Sequence, residues 1–227
     1  MNREERRRRK RIKRIVINVI VLVIVIIAFT AIGLFKRISP FRGQYTRTVD
    51  FTQEAVTAAT LWLSDVEGAE IGSEYIMAKS EGISANVILE FDGIMGKGSF
   101  KEELSREAYD SCVSQAYNMT AVCLRDLIFE RLIAVGYSET MSEDEVDALI
   151  KEALGMTLDN YIRNSGVVLM PAYEEIEADY NRSGDYKIKG SSIEFTVNGE
   201  VTSEHYAASR DTLAMNETGK IYRRVEK

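Results

Sequence analysis

The sequence predicts an α+β protein: an N-terminal transmembrane helix, then a small antiparallel up-and-down β-barrel or bent sheet with an inserted helical subdomain. Three observations predict this. An uncharged apolar run fills residues 15–35, segments of alternating polarity flank the middle of the chain, and residues 105–181 show helical periodicity. The predicted segments are a basic tail (1–14), a transmembrane helix (15–35), a linker (36–42), the first part of the β domain with one or two helices (43–104), a helical insertion (105–181) and a C-terminal β-meander that completes the barrel (182–227).

The apolar run is long enough to cross a bilayer. It has 21 residues, no charge and one strongly polar residue, Asn18. A helix of that length is about 30 Å long, the thickness of the hydrocarbon core. Residues 1–14 hold nine Lys or Arg against two Glu, and basic flanks stay on the cytoplasmic side. We therefore expect a single-pass membrane protein with a cytoplasmic N-terminus and an extracytoplasmic C-terminal domain. A cleaved signal peptide is the alternative, and it fits less well because its apolar region is usually shorter.

The charge and the cysteine content of residues 36–227 restrict the functions that this part of the chain can have. The chain carries −6 and residues 1–14 carry +7, so residues 36–227 carry −13. Nucleic-acid binding requires a basic patch, which argues against that class of partner. The only two cysteines, Cys112 and Cys123, do not make a disulfide framework. On one helix they would lie about 16 Å apart, too far to bridge.

Alternating polarity predicts about eight strands. Residues 45–51 and 85–91 alternate, and a glycine-containing turn at 92–96 leads to a returning strand, Gly98 to Leu104. Five further strands follow between 186 and 225, with Asn198-Gly199 as a strong hairpin turn. Eight antiparallel strands can close into a barrel whose interior is filled by side chains or holds one small ligand. Between the first strands, residues 73–80 fit a short helix or a strand equally well.

The tail contains two copies of one unit at a period of 20 residues. Tyr186 aligns with Tyr206, Phe195 with Met215, and Gly199 with Gly219. Each unit reads as a hairpin with the same inward positions. Two copies are too few for a solenoid, and they favour a meander in which each strand pairs with the next.

The helical insertion is strongly acidic. Apolar residues recur at helical spacing from 105 to 135, and capped helices are predicted at 142–154, 157–164 and 171–181. Residues 105–181 hold five basic and fifteen acidic residues. Solvated helix faces account for such a composition. A surface for a cation or a basic peptide is the sharper interpretation.

Three motifs of the strand regions are Gly43-Gln44-Tyr45, the hairpin from Phe91 to Phe100, and the tail pattern G-x-Y…G-x-x-I-x-F…D-x-L-x-M…Y-x-R from Gly184 to Arg224. In these motifs the chain resembles the lipocalin-like (calycin) domains found outside bacterial membranes. The resemblance implies that the first strand pairs with the last. It also implies that Arg223 or Arg224 stacks on Tyr45, a cation–π contact worth about 1 kcal/mol. The chain departs from the family pattern in having Tyr45 for the usual Trp, and helices that interrupt the barrel.

The insertion has a second resemblance. Residues 125–128, 143–147 and 155–161 are similar to the helical domain of extracytoplasmic chaperone/prolyl isomerases. That resemblance implies helices that hold unfolded peptide. No isomerase domain follows in the sequence.

Catalytic patterns are absent from the sequence. His205 is the only histidine, so a Ser-His-Asp triad or a multi-histidine metal site is excluded. Neither S-x-x-K nor G-x-S-x-G occurs. We therefore expect no catalytic residues, no metal and no cofactor.

Three functional hypotheses follow. The first is a non-enzymatic lipocalin-like domain that binds a small apolar ligand or a partner protein. Its candidate cavity is lined by inward apolar residues of the strands: Val49, Phe51, Val87, Leu89, Phe91, Phe100, Ile193, Phe195, Leu213 and Met215. The second is a membrane-tethered chaperone or peptide-holding factor, which requires an exposed apolar groove among helices 105–181. The third is an enzyme of unfamiliar class, which requires converging polar groups in a pocket.

Overall fold

Eight antiparallel strands, each paired with the next along the chain, form a closed barrel in the computed structural model, which describes residues 20–28, 42–66 and 72–225. The strands are β1 (Gly43–Asp50), β2 (Ser84–Ile94), β3 (Lys97–Leu104), β4 (Arg182–Lys189), β5 (Ser192–Val197), β6 (Glu200–Ala208), β7 (Thr212–Met215) and β8 (Ile221–Arg224). Pairing of β1 with β8 closes the barrel. The predicted α+β class and the eight-stranded antiparallel barrel are confirmed.

Seven helices accompany the barrel within the described residues. They are α1 (20–28 of the described chain), α2 (Thr52–Ser64), α3 (Ser73–Lys79), α4 (Arg106–Ala134), α5 (Glu143–Leu154), α6 (Leu158–Asn164) and α7 (Tyr173–Tyr180). The last four lie between β3 and β4 in the chain. The segment whose type the sequence left open, 73–80, forms α3. A segment of seven residues, about two helical turns, is too short for periodicity to separate a helix from a strand.

The N-terminal segment is only partly described. Residues 20–28 are helical with exposed side chains. The rest of the predicted transmembrane helix (15–35), the basic tail and most of the linker lie outside the described residues. Among the described helices, none is both long and apolar enough to span a bilayer.

The strand pattern follows from side-chain alternation. In β2, Ala85, Val87, Leu89 and Phe91 are buried while the residues between them are exposed or half-exposed. Side chains point to opposite faces of a strand at successive positions, so one face of β2 is the inside of the barrel. The same alternation in β1, β3 and the tail strands therefore supplies the whole interior.

Close approach of two strands requires glycine at one inward position of β4. A Cβ built on Gly184 would lie 2.0 Å from the carbonyl oxygen of Thr196 on β5. That distance is far inside van der Waals contact, so no other residue fits without moving β4 away from β5.

The 20-residue repeat corresponds to two hairpins with the same register. Tyr186 pairs with Phe195 across β4 and β5, and Tyr206 pairs with Met215 across β6 and β7. The aligned residues thus occupy equivalent places in the meander, as the repeat predicts.

Two hydrophobic cores divide the molecule. One fills the barrel interior and consists of Tyr45, Leu89, Phe91, Phe100, Tyr186, Ile193, Phe195, Leu213, Met215 and Tyr222. The other lies between the helices and the adjoining end of the barrel, where Phe51, Val87 and Leu104 pack with residues of α2 and α4. The helical insertion therefore covers one end of the barrel.

A hydrogen-bond network fixes the insertion where it leaves and rejoins the barrel. Tyr173 donates its hydroxyl hydrogen to the Leu104 carbonyl at 2.7 Å. Asn181 accepts from the Leu104 backbone N–H at 2.8 Å and donates its Nδ2 hydrogen to the Tyr173 hydroxyl at 2.7 Å. The end of β3, the start of α7 and the residue before β4 are thereby held together.

Candidate functional site

A buried carboxylate lies inside the barrel at the end covered by the helices. Glu102 occupies the inward phase of β3 between Phe100 and Leu104, and its side chain has no exposed surface. An unpaired carboxylate buried in such a place would lower the stability of the fold by several kcal/mol. Glu102 therefore requires partners that compensate its charge.

Four side chains form hydrogen bonds with the carboxylate of Glu102. We call Glu102 and these four residues the Glu102 cluster. Tyr222 donates a short hydrogen bond to Oε1 of Glu102. Arg47 Nη2 and Lys220 Nζ donate to the same oxygen at 3.3 Å and 3.5 Å. Arg182 Nε donates to Oε2 at 2.5 Å. The partners come from β1, β4 and the β8 region, so the cluster links strands that are far apart in the sequence.

Burial and the neighbouring charges shift the pKa of Glu102, Tyr222 and Lys220. Burial alone would raise the pKa of Glu102, but the Tyr222 hydrogen bond and the charges of Arg182 and Lys220 hold it below its ordinary value. Burial, and then the neighbouring Glu102 charge, raise the pKa of Tyr222. Burial and the neighbouring guanidinium groups of Arg182 and Arg47 outweigh Glu102 and lower the pKa of Lys220.

Aromatic rings cover the two arginines. The Arg47 Cζ lies 5.6 Å from the ring centroid of Tyr180 on α7, and the Arg182 Cζ lies 5.0 Å from that of Phe195. Arg182 Nη2 is buried and, within the described part of the chain, has no hydrogen-bond acceptor. The ring faces partly compensate for that. The cluster therefore joins the aromatic barrel core to α7.

Converging polar groups alone do not make this an active site. A general acid or base works best when its pKa lies near the operating pH. Glu102 is instead ionised and fully hydrogen-bonded, and Tyr222 is held protonated. A cleft of about 560 Å³ reaches Glu102 and Arg182 between β3, β4 and the end of α7. In the described residues no three His, Cys, Asp or Glu side chains are grouped as metal ligands.

An apolar groove is open on the helical side of the molecule. It has a volume of about 230 Å³ and lies between α2, α4, α5 and α6. Its lining consists of Trp62, Val66, Leu124, Leu127, Ile128, Arg131, Leu154, Leu158 and Tyr161. Leu154 and Tyr161 at its edge are 37% and 41% exposed.

The sequence-predicted cavity residues fall into two groups. Seven of them, Leu89, Phe91, Phe100, Ile193, Phe195, Leu213 and Met215, meet inside the barrel, each at most 2% exposed. Their rings touch: Phe195 lies 4.7 Å from Phe100 and 6.3 Å from Phe91 between centroids. Val49, Phe51 and Val87 lie instead against the helical core. The structure thus does not bring these three together with the other seven.

The residues expected to close the barrel lie where β1 meets β8. Tyr45 pairs with Arg224 in the register, and the Arg224 Cζ lies 5.7 Å from the Tyr45 ring centroid. Arg223 points the other way and is exposed. Burial raises the pKa of Tyr45 although the Arg224 charge opposes that shift.

Comparison with known proteins gives no assignment. No protein-family model matches the chain, and no curated protein and no solved structure matches it. The function must therefore be argued from the chain's own residues.

Proposed function

We propose that the protein is a membrane-tethered, extracytoplasmic binding protein without enzymatic activity, in which a lipocalin-like barrel supports a partner-binding helical insertion. One observation supports this most: the barrel interior is occupied by the chain's own rings, whereas the groove between α2 and the insertion is open. The tether is the apolar run 15–35 behind its basic tail.

The size of the groove favours a partner side chain over a free small molecule. Small-molecule sites usually have volumes of about 300–1,000 Å³, and the groove has about 230 Å³. That volume suits one or two bulky apolar side chains presented by a partner. Binding of a small apolar ligand inside the barrel stays a prediction. The rings of Phe91, Phe100 and Phe195 would have to separate to admit such a ligand.

The net charge of the insertion favours one kind of partner. The insertion has an excess of ten acidic residues, and Arg131 is the charged residue among those that line the groove itself. Opposite charge steers association and disfavours like-charged partners. We therefore infer a partner segment with bulky apolar side chains flanked by Lys or Arg.

Trp62 provides the test, because it is the only tryptophan and lines the groove. Titration of the full-length protein in detergent with an amphipathic Leu/Lys peptide should give a saturable change in Trp62 emission, weakened by salt. Leu154→Gln at the groove edge should weaken binding about tenfold, since a lost apolar anchor costs roughly 1–2 kcal/mol. Val201→Gln, which changes an exposed apolar residue on β6, is the matched control and should change nothing.

A Leu/Glu peptide of the same length separates charge from apolar contact. Equal binding of both peptides, or no effect of Leu154→Gln, would contradict the assignment of the groove.

A peptide-holding chaperone is the second candidate, and the same groove favours it. The two functions differ in selectivity. A chaperone should bind unrelated Leu/Lys sequences equally and suppress aggregation of a reduced, unfolded client at stoichiometric ratio. A dedicated binding protein should do neither.

A further inference from the structure

The turn between β2 and β3 exposes two large apolar side chains at one end of the barrel. Ile94 and Met95 are 60% and 64% exposed, and they are adjacent at the tip of the hairpin. Single exposed apolar residues are common. An adjacent pair at the end of a projecting hairpin is a different feature and requires an explanation.

Backbone conformation shows that folding does not favour methionine at this tip. Met95 and Gly96 both have positive φ, 56° and 74°, as a two-residue hairpin turn of type I′ requires. The left-handed conformation costs a non-glycine residue about 1 kcal/mol, and asparagine tolerates it best. The same barrel uses that solution in its β5–β6 turn, where Asn198 and Gly199 have φ of 52° and 86°. The exposed side chain of Met95 is thus kept at a cost to the fold.

The tip lies at the end of the barrel where the chain arrives from the predicted transmembrane helix. Gly43, the first residue of β1, pairs with Phe91 just before the tip. Residues 36–42 can span at most about 25 Å when fully extended. A tether ending at residue 35 therefore keeps this end of the barrel near the bilayer, and the acidic insertion covers the other end.

This end of the barrel is also basic, unlike the rest of the outer domain. Its segments are 42–44, 92–98, 187–194, 209–212 and 223–225. They hold seven Lys or Arg and three Asp or Glu. A shallow cleft of about 530 Å³ beside the tip is lined by Ile94, Lys97 and Lys187 among others. Lysine ammonium groups beside an apolar side chain match a phosphate headgroup above its acyl chains.

We propose that this end of the barrel lies on an anionic bilayer, with Ile94 and Met95 inserted at the headgroup–acyl boundary and Lys97 and Lys187 against lipid phosphates. The inference rests on the proposed membrane tether. Contact at the tip fixes the orientation of the domain, so that the helical groove faces away from the membrane.

The test places a fluorophore at the tip of the full-length protein. In a Trp62→Phe background, Ile94→Trp is reconstituted into vesicles of phosphatidylcholine and phosphatidylglycerol with brominated acyl chains, which quench only tryptophans within the bilayer. Ile94→Trp should be quenched at least twofold. Val201→Trp in the same background, near the β5–β6 turn at the other end, should not be quenched.

The outcomes separate the inference from the function on which it rests. Failure of the chain to enter vesicles in a carbonate-resistant form would remove the tether itself. Firm incorporation with unquenched Ile94→Trp would overturn the tip contact alone. Equal quenching in pure phosphatidylcholine would overturn the part of the proposal that requires an anionic bilayer.

Met95→Asn provides an independent variant that cannot act by unfolding the protein. Asparagine suits the left-handed conformation, so the melting temperature should stay equal or rise. Quenching of Ile94→Trp should fall at least twofold, because half of the inserted apolar surface is lost. Unchanged quenching would contradict the proposal.

Discussion

Replacing Glu102 by Gln should lower the free energy of unfolding by about 3–5 kcal/mol, the usual cost of removing one partner from a buried ion pair. Arg47, Arg182 and Lys220 all depend on this carboxylate. Without its charge, three cations face one another in a barrel interior that excludes most solvent. Urea unfolding followed by circular dichroism measures the loss.

Glu103→Gln is the matched control for that variant. The neighbouring side chain points outward, is 46% exposed and pairs with Lys101. Exposed ion pairs contribute about 0–1 kcal/mol. Equal effects of the two substitutions would mean that the Glu102 cluster does not stabilise the fold.

Charge, rather than shape, should account for the loss. The double variant Glu102→Gln with Lys220→Met removes one unpaired cation and should regain part of the stability. Because the pKa of Glu102 is lowered, its contribution is complete above its ordinary value near pH 4.5 and is lost as the pH falls through the lowered pKa. The difference between wild type and Glu102→Gln should therefore shrink in acid.

Phe195→Ala should cost about 3–5 kcal/mol, the usual range for removing a buried aromatic side chain from a core that cannot collapse. Phe195 has no exposed surface and contacts Phe100 and Arg182. Its removal leaves a cavity beside the Phe91 ring on β2 and the Phe100 ring on β3. Phe195→Leu should cost less, since it leaves a smaller cavity. A loss below about 1 kcal/mol for Phe195→Ala would indicate a hollow barrel, with room for a small ligand.

Much of the fold was predictable because strand and helix periods differ. Alternation from 85 to 91, the Asn198-Gly199 turn and the 20-residue repeat predicted the meander, and helical spacing predicted the insertion. Alternation shows which face of a strand is inward, but not which layer of the interior a residue occupies. Val49 and Val87 were therefore expected beside Phe91, although they lie at the end of the barrel that packs against α2 and α4.

The Glu102 cluster could not be assembled from the sequence. The partners of Glu102 lie 55 to 120 residues away from it in the sequence, and only closure of the barrel brings them together. One signal was present: Glu102 stands in the apolar phase of β3, between Phe100 and Leu104. A charged residue in that phase requires buried partners. The chaperone hypothesis required a groove among the helices of the insertion, but the sequence did not show which residues line it. Trp62 of α2 lines the groove although it lies outside the insertion.

The most direct test of the account is to determine, by cysteine labelling, on which side of the membrane the barrel lies. Cys112 and Cys123 have no exposed surface, and burial raises the pKa of both thiols, so an added cysteine is the reactive one. Val201→Cys should react with a membrane-impermeant maleimide on intact cells, whereas Asn2→Cys should react only after the membrane is permeabilised. Labelling of Asn2→Cys but not Val201→Cys on intact cells would contradict the orientation, and recovery of the unlabelled protein in the soluble fraction would contradict the tether.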